Sequence, residues 1–153
     1  MRVSLPMLGT APPEAPADLR QSRQLLDAHG RVITDLRLSV TDRCNFRCTY
    51  CLEPGTKFLP RQELLHRDEY FRLVQAANGV GIRTLRLTGG EPTIYPELDE
   101  LIEDLGQLDL DDMAMTTNGW SVTVDRSRRW LDGGLRRLTF SLDTFREDRM
   151  RAI

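Results

Sequence analysis

Thr84-Leu85-Arg86-Leu87-Thr88-Gly89-Gly90-Glu91-Pro92 is the stretch on which the fold turns. Leucine alternates with arginine and threonine at a period of two, the pattern of a strand with one apolar and one polar face, and Gly89-Gly90 with Pro92 ends it in a turn. Three further stretches repeat this design: Leu36–Val40, Asp112–Thr116 and Arg137–Ser141. In them Leu36, Leu38 and Val40 alternate with Arg37 and Ser39, Met113 and Met115 with Ala114 and Thr116, and Leu138 and Phe140 with Thr139 and Ser141. Each run is short and is followed by a Gly, Asn or Asp turn signal.

Helical periodicity fills the gaps between these strands. Asp68–Asn78 places Tyr70, Leu73, Val74 and Ala77 on one face, and Glu97–Leu105 carries Leu98, Leu101, Ile102 and Leu105 at i, i+3, i+4, i+7. Asp125–Leu131 gives a weaker third helix ended by Gly133 and Gly134, and Gln21–Ala28 reads as a short helix stopped by Gly30. The order βαβαβαβ implies parallel strands joined by right-handed crossovers. A sheet covered by helices on both sides is apolar on both faces; a barrel with a polar lumen is not. The expected fold is therefore α/β, a partial (β/α) barrel of about four parallel strands with amphipathic crossover helices. Residues 1–17, broken by Pro6, Pro12 and Pro13, are expected to form a disordered tail ahead of a core domain over 18–153.

With 153 residues the chain can bury one core. A net charge of −2 argues against a nucleic-acid or anionic-membrane binder, although the positive charge is almost all arginine, Lys57 being the one lysine. No run of about 18 apolar residues offers a membrane span, and the Ala15-Pro16-Ala17 resembling a cleavage site lacks an uninterrupted apolar segment before it.

Cys44, Cys48 and Cys51 fall within eight residues, too close and too odd in number for a disulfide framework. They point to a reducing compartment, expected to be the cytoplasm, and to a metal. In Cys44-Asn45-Phe46-Arg47-Cys48-Thr49-Tyr50-Cys51 three thiolates can hold three irons of a [4Fe–4S] cluster, leaving one iron open to the amine and carboxylate of S-adenosylmethionine (SAM). A zinc site completed by His66, or a redox pair of Cys48 and Cys51, is also compatible with the cysteines alone. Neither accounts for Gly89-Gly90-Glu91-Pro92, Thr116-Thr117-Asn118-Gly119 and Ser141-Leu142-Asp143, which stand at the carboxyl ends of successive strands. That is the face on which barrel enzymes build their sites, and glycines there allow backbone groups to approach a ligand closely.

These motifs resemble the radical SAM superfamily. The stretches Asp27–Arg31, Thr34–Cys44, Phe58–Arg61 and Arg86–Gly89 further resemble the GTP 3′,8-cyclases, over about Leu25 to Ile153. The resemblance implies that Cys44, Cys48 and Cys51 ligate the cluster. Tyr50, Gly90 and Ser141 then match SAM contacts, with Gly89 and Glu91 in the same cofactor-binding loop, and Arg37, Arg86 and Thr116 match GTP contacts. No catalytic residue beyond the cluster ligands is implied. Physically, Arg37 and Arg86 share the polar side of the strands, where a guanidinium needs an anion such as triphosphate, or else an ion pair with Glu91 or Asp143.

The implied reaction splits SAM, with one electron from the reduced cluster, into methionine and a 5′-deoxyadenosyl radical. The radical takes a hydrogen from the ribose of GTP, and the sugar closes onto the guanine in the first step of molybdenum cofactor biosynthesis. GTP is the implied substrate and an external one-electron donor the implied partner, without nucleic acid or membrane. His66 and Thr93-Ile94-Tyr95-Pro96 depart from the family pattern, and the family's second cysteine cluster has no counterpart in these residues. A homo-oligomer or a carboxyl-terminal half is left to complete the site, and the 153 residues alone are expected to give no cyclised product. The competing readings are another radical SAM enzyme such as a peptide maturase, a truncated non-catalytic paralogue, and a zinc-binding interaction module.

Overall fold

The computed structural model describes residues 24–53 and 55–153. Four strands form one sheet: β1 (Asp35–Ser39), β2 (Thr84–Thr88), β3 (Asp112–Thr117) and β4 (Arg137–Phe140). They lie side by side in chain order and all pair in parallel. Between them run α1 (Arg67–Gly79), α2 (Leu98–Leu105) and α3 (Val124–Asp132), and a short α4 (Glu147–Met150) follows β4. This is the expected partial barrel; the sheet does not close.

The three crossover helices cover one face. Leu38, Leu85, Leu87, Met113 and Met115 on the strands are buried against Tyr70 and Val74 of α1, Leu98, Leu101, Ile102 and Leu105 of α2, and Trp130 of α3. Leu73 was expected on the buried face of α1 but is 43% exposed, because Tyr70 and Val74 already fill the contact with the sheet. Asp99 fastens α2 to α3: it accepts from the Arg126 guanidinium at 2.8 Å and from the Trp130 indole N–H at 2.7 Å. Burial pushes the Asp99 carboxyl upward, but these donors outweigh it and hold its pKa below the ordinary value.

Among the described residues no helix covers the other face of the sheet. Along it, in register, stand Arg37, Arg86 and Ala114 on β1 to β3, then Arg137 on β4. The strand alternation seen in sequence thus separates a packed side from an open polar side.

One local expectation fails. Residues 24–28 do not form the carboxyl-terminal part of a helix over Gln21–Ala28; an antiparallel bridge joins Leu26 to Val32 instead. Asp27 is the cause, since its carboxylate accepts from the backbone N–H groups of His29 and Arg31 at 2.8 and 2.9 Å and from the Arg31 side chain at 2.6 Å, closing a turn on Gly30 at φ 77°. Residues 21–23 and the expected tail over 1–17 lie outside the described residues.

Candidate active site at the carboxyl ends of the strands

β1 continues into the cysteine loop, and its end is fixed first. The Val40 N–H bonds the Thr88 carbonyl at 3.1 Å, and the buried Tyr70 hydroxyl donates to the Val40 carbonyl at 3.0 Å, so α1 and β2 hold the take-off point. From there the chain runs against the Gly89-Gly90 turn: Gly90 N–H donates to the Thr41 carbonyl and Glu91 N–H to the Arg43 carbonyl, both at 2.8 Å. A Cβ on Gly90 would lie 2.3 Å from the Arg43 carbonyl oxygen, and one on Gly89 2.6 Å from that of Thr41. The close approach that makes these glycines necessary is therefore made by the cysteine loop itself.

Beyond Arg43 the loop is braced on several sides. The Arg47 guanidinium donates to the carbonyls of Cys44 and Phe46 at 2.6 and 2.8 Å and lies over the Phe58 ring. The Asp42 carboxylate accepts from the Leu59 N–H at 2.6 Å, which draws the Phe58-Leu59-Pro60-Arg61 segment back over the loop. Cys44 and Cys48 are half-buried, Cys51 is exposed, and all three thiols are free.

Glu91 is 1% exposed and ties two strand ends together. One carboxylate oxygen accepts from the Thr93 N–H at 3.0 Å and from the hydroxyls of Thr93 and Thr117 at 2.6 Å each; the other accepts from the Asn118 N–H at 2.7 Å. All four of these donors belong to this chain. In Glu91→Gln the new amide would set N–H against N–H at Asn118, leaving a buried donor unsatisfied at about 1–3 kcal/mol. The expected outcome is a melting temperature lower by several degrees in calorimetry, without loss of the thiols' accessibility to alkylation.

A cavity of about 440 Å³ opens at this end of the sheet. All three cysteines line it, as do Arg37 from β1 and Gly89, Gly90 and Glu91 from the turn after β2. Thr116 and Ser141, from the ends of β3 and β4, complete the predicted set, and Tyr50 stands at the mouth. The Tyr50 hydroxyl donates to the Asp143 carboxylate at 2.7 Å, and that bond pushes its pKa up to about 12. Arg86 is the exception among the predicted residues: it stands beside Arg37 on the neighbouring strand and does not line the cavity. Phe46, Thr88, Thr117 and Asn118 do line it and were not singled out from sequence, although Thr117 and Asn118 belong to the motif quoted after β3.

His66 caps the start of α1, its N–H donating to the Glu69 carboxylate at 2.8 Å, and lines a different cavity with Arg43, Arg61 and Tyr95. A zinc site completed by His66 needs His66 and the cysteines in one place, and they line different cavities.

The Radical SAM superfamily pattern matches residues 38–153, so the site's three cysteines and strand-end loops are those of a known class, and the chain belongs to the radical SAM superfamily. Among particular proteins, it is 46% identical over 132 residues to the GTP 3′,8-cyclase of Ectopseudomonas mendocina, covering 86% of this chain and 40% of that enzyme. It is 45% identical over 130 residues to GTP 3′,8-cyclase 2 of Pseudomonas aeruginosa, covering 84% and 39%. The chain thus spans about 40% of the length of the curated relatives it matches. Streptococcus suis SuiB bound to S-adenosylmethionine has the same fold, with a TM-score of 0.65 at 18% identity over 86% of this chain and 29% of that one. BtrN in complex with AdoMet and 2-DOIA follows at 0.56 and 14%, over 80% and 51%.

The cofactors of this class are a [4Fe–4S] cluster and SAM, and the donor set suits them. Three free thiols on one loop face one cavity, a set able to hold three irons of a cluster and leave one open. Cys44, Cys48 and Cys51 would hold the cluster. The exposed backbone of Gly89 and Gly90 lines the same cavity. No helix among the described residues is long and apolar enough to cross a membrane.

Proposed function

We propose that this chain is the amino-terminal part of a GTP 3′,8-cyclase working in the cytoplasm, with 18–153 as one incomplete core domain. Its reaction is the first of molybdenum cofactor biosynthesis. When bound and reduced by an external one-electron donor, the cluster with SAM supplies a 5′-deoxyadenosyl radical. The chain's own residues bind and orient. Tyr50, Gly89, Gly90 and Ser141 surround SAM beside the three cysteines, and Glu91 keeps that turn rigid. Arg37, Arg86 and Thr116 face GTP from the open side of the sheet.

The observation that carries this reading is the arginine row. Arg37 and Arg86 are directly paired in register on neighbouring strands, roughly 5 Å apart at the backbone. Neither makes a side-chain hydrogen bond or ion pair with any described residue. Glu91 and Asp143, the carboxylates that could have neutralised them, are engaged by Thr93, Thr117, Asn118 and Tyr50. In the same row Arg137 is matched by Asp112. Two like charges left side by side are unfavourable until an anion arrives, and a triphosphate with its charge-assisted bonds is such an anion.

Arg86→Ala is expected to weaken GTP binding about tenfold or more in a protein carrying this segment at the length of its curated relatives, since one charged hydrogen bond contributes about 1.5–3 kcal/mol. Titration calorimetry measures it. Unchanged GTP affinity with lost SAM affinity would assign the arginines to the wrong ligand.

A further inference from the structure

We infer that Asn118 is a positioning residue for Cys44, setting the reduction potential of the cluster through an amide held against the cysteine sulfur; this rests on the cluster reading above. Asn118 follows β3, and its backbone N–H is pinned to the buried Glu91 carboxylate at 2.7 Å. Its side chain reaches across the cavity floor to the cysteine loop, where Nδ2 donates to Asn45 Oδ1 at 2.9 Å and lies 4.0 Å from Cys44 Sγ. The orientation of that amide is not free. The Trp120 N–H, a donor only, sits 3.0 Å from Asn118 Oδ1, so the oxygen faces Trp120 and the NH₂ group faces the cysteine.

The arrangement gives Cys44 a distinct electrostatic setting. Its sulfur receives the Phe46 backbone N–H at 3.3 Å in addition to the Asn118 amide. Cys48 has a different neighbour, the Tyr50 side chain. N–H groups directed at a ligating sulfur stabilise the reduced, more negative cluster and so raise its potential. Glu91 thereby acts at a distance: by fixing the Asn118 backbone it fixes the donor, linking the Gly-Gly-Glu-Pro turn to the electronics of one ligand.

The test is a redox titration of the anaerobically reconstituted chain, followed by visible absorption and electron paramagnetic resonance, for Asn118→Ala, Asn45→Ala and the double variant. The expected result is a midpoint lower by about 59 mV, a tenfold change for a one-electron couple, in Asn118→Ala. A shift of the same sign is expected in Asn45→Ala, and none beyond Asn118→Ala in the double variant, because both act through one contact. Thr123→Ala removes the cap on the Arg126 N–H at the start of α3 and serves as a structural control that should lower stability and leave the midpoint alone. An unchanged midpoint in both single variants overturns the inference. If Asn118→Ala fails to fold, Asn45→Ala at the exposed Asn45 decides by the same criterion. Failure of the unsubstituted chain to take up iron and sulfide would instead overturn the cluster reading.

Discussion

Cys48→Ala is expected to leave the reconstituted chain without the broad visible absorption of a [4Fe–4S] cluster and with far less than the four irons per chain, on the order of full occupancy, that the unsubstituted loop should hold. The same is expected of Cys44→Ala and Cys51→Ala. The effect should be near total because the chain contains no other cysteine to replace a lost ligand. Iron and acid-labile sulfide analysis under nitrogen measures it, and a Cys48→Ala protein retaining its full iron content would refute the assignment of all three ligands. Far-ultraviolet circular dichroism should change little, since none of the three thiols belongs to the buried apolar cluster.

Gly90→Ala should be strongly damaging although it adds only one methyl group. The added carbon would sit 2.3 Å from the Arg43 carbonyl oxygen and 2.7 Å from that of Asp42, both backbone atoms with no side-chain freedom to yield. Relief requires β2 and the cysteine loop to separate, at the expense of the hydrogen bonds from Gly90 and Glu91 to Thr41 and Arg43. Overpacking of this kind costs about 1–3 kcal/mol, and each lost bond adds about 0.5–1.5. A loss of about 3 kcal/mol or more is a large part of a domain stability of about 5–15 kcal/mol. Urea denaturation followed by Trp130 fluorescence should show the midpoint fall sharply, with iron uptake falling alongside it. Gly79→Ala provides the contrast: nothing lies within 4 Å of the added carbon at the end of α1, so stability should hold or rise slightly. Equal behaviour of the two variants would show that the close approach at Gly90 is not tight.

Much of this was legible in the sequence because period and spacing are local properties. The two-residue alternation in Leu85-Arg86-Leu87 located a strand and told which side would be open, and α2 buried all four of the residues its periodicity named. The cavity gathered the cysteines, Tyr50, Gly89, Gly90, Glu91, Thr116 and Ser141 because each sits at a strand end, in the turn after one or in the loop that leaves β1, and Arg37 joins them from the middle of β1. What stayed hidden depends on partners distant in the chain. The reason for Gly89 and Gly90 is a carbonyl more than forty residues earlier, and nothing in the local sequence reveals it. The use of Glu91 as a buried tie, and the reach of Asn118 to Asn45, have the same origin. Asp27 misled for a different reason: a favourable helix window ending at Gly30 is also a turn window when an aspartate can cap three donors at once.

The chain order of the sheet carries a kinetic consequence. Each strand pairs with the one before it, so the sheet can grow by zippering, each step closing a loop no longer than one crossover. The Tyr50–Asp143 bond does not follow that rule, since its partners lie 93 residues apart and cannot meet until β4 is in place. That contact therefore forms late, and contacts of such long range slow the final approach to the native state. During synthesis from the amino terminus the cysteine loop emerges early and waits, its thiols uncovered, for almost a hundred residues before its far wall exists. A cluster entering before that wall forms would meet the thiols still uncovered.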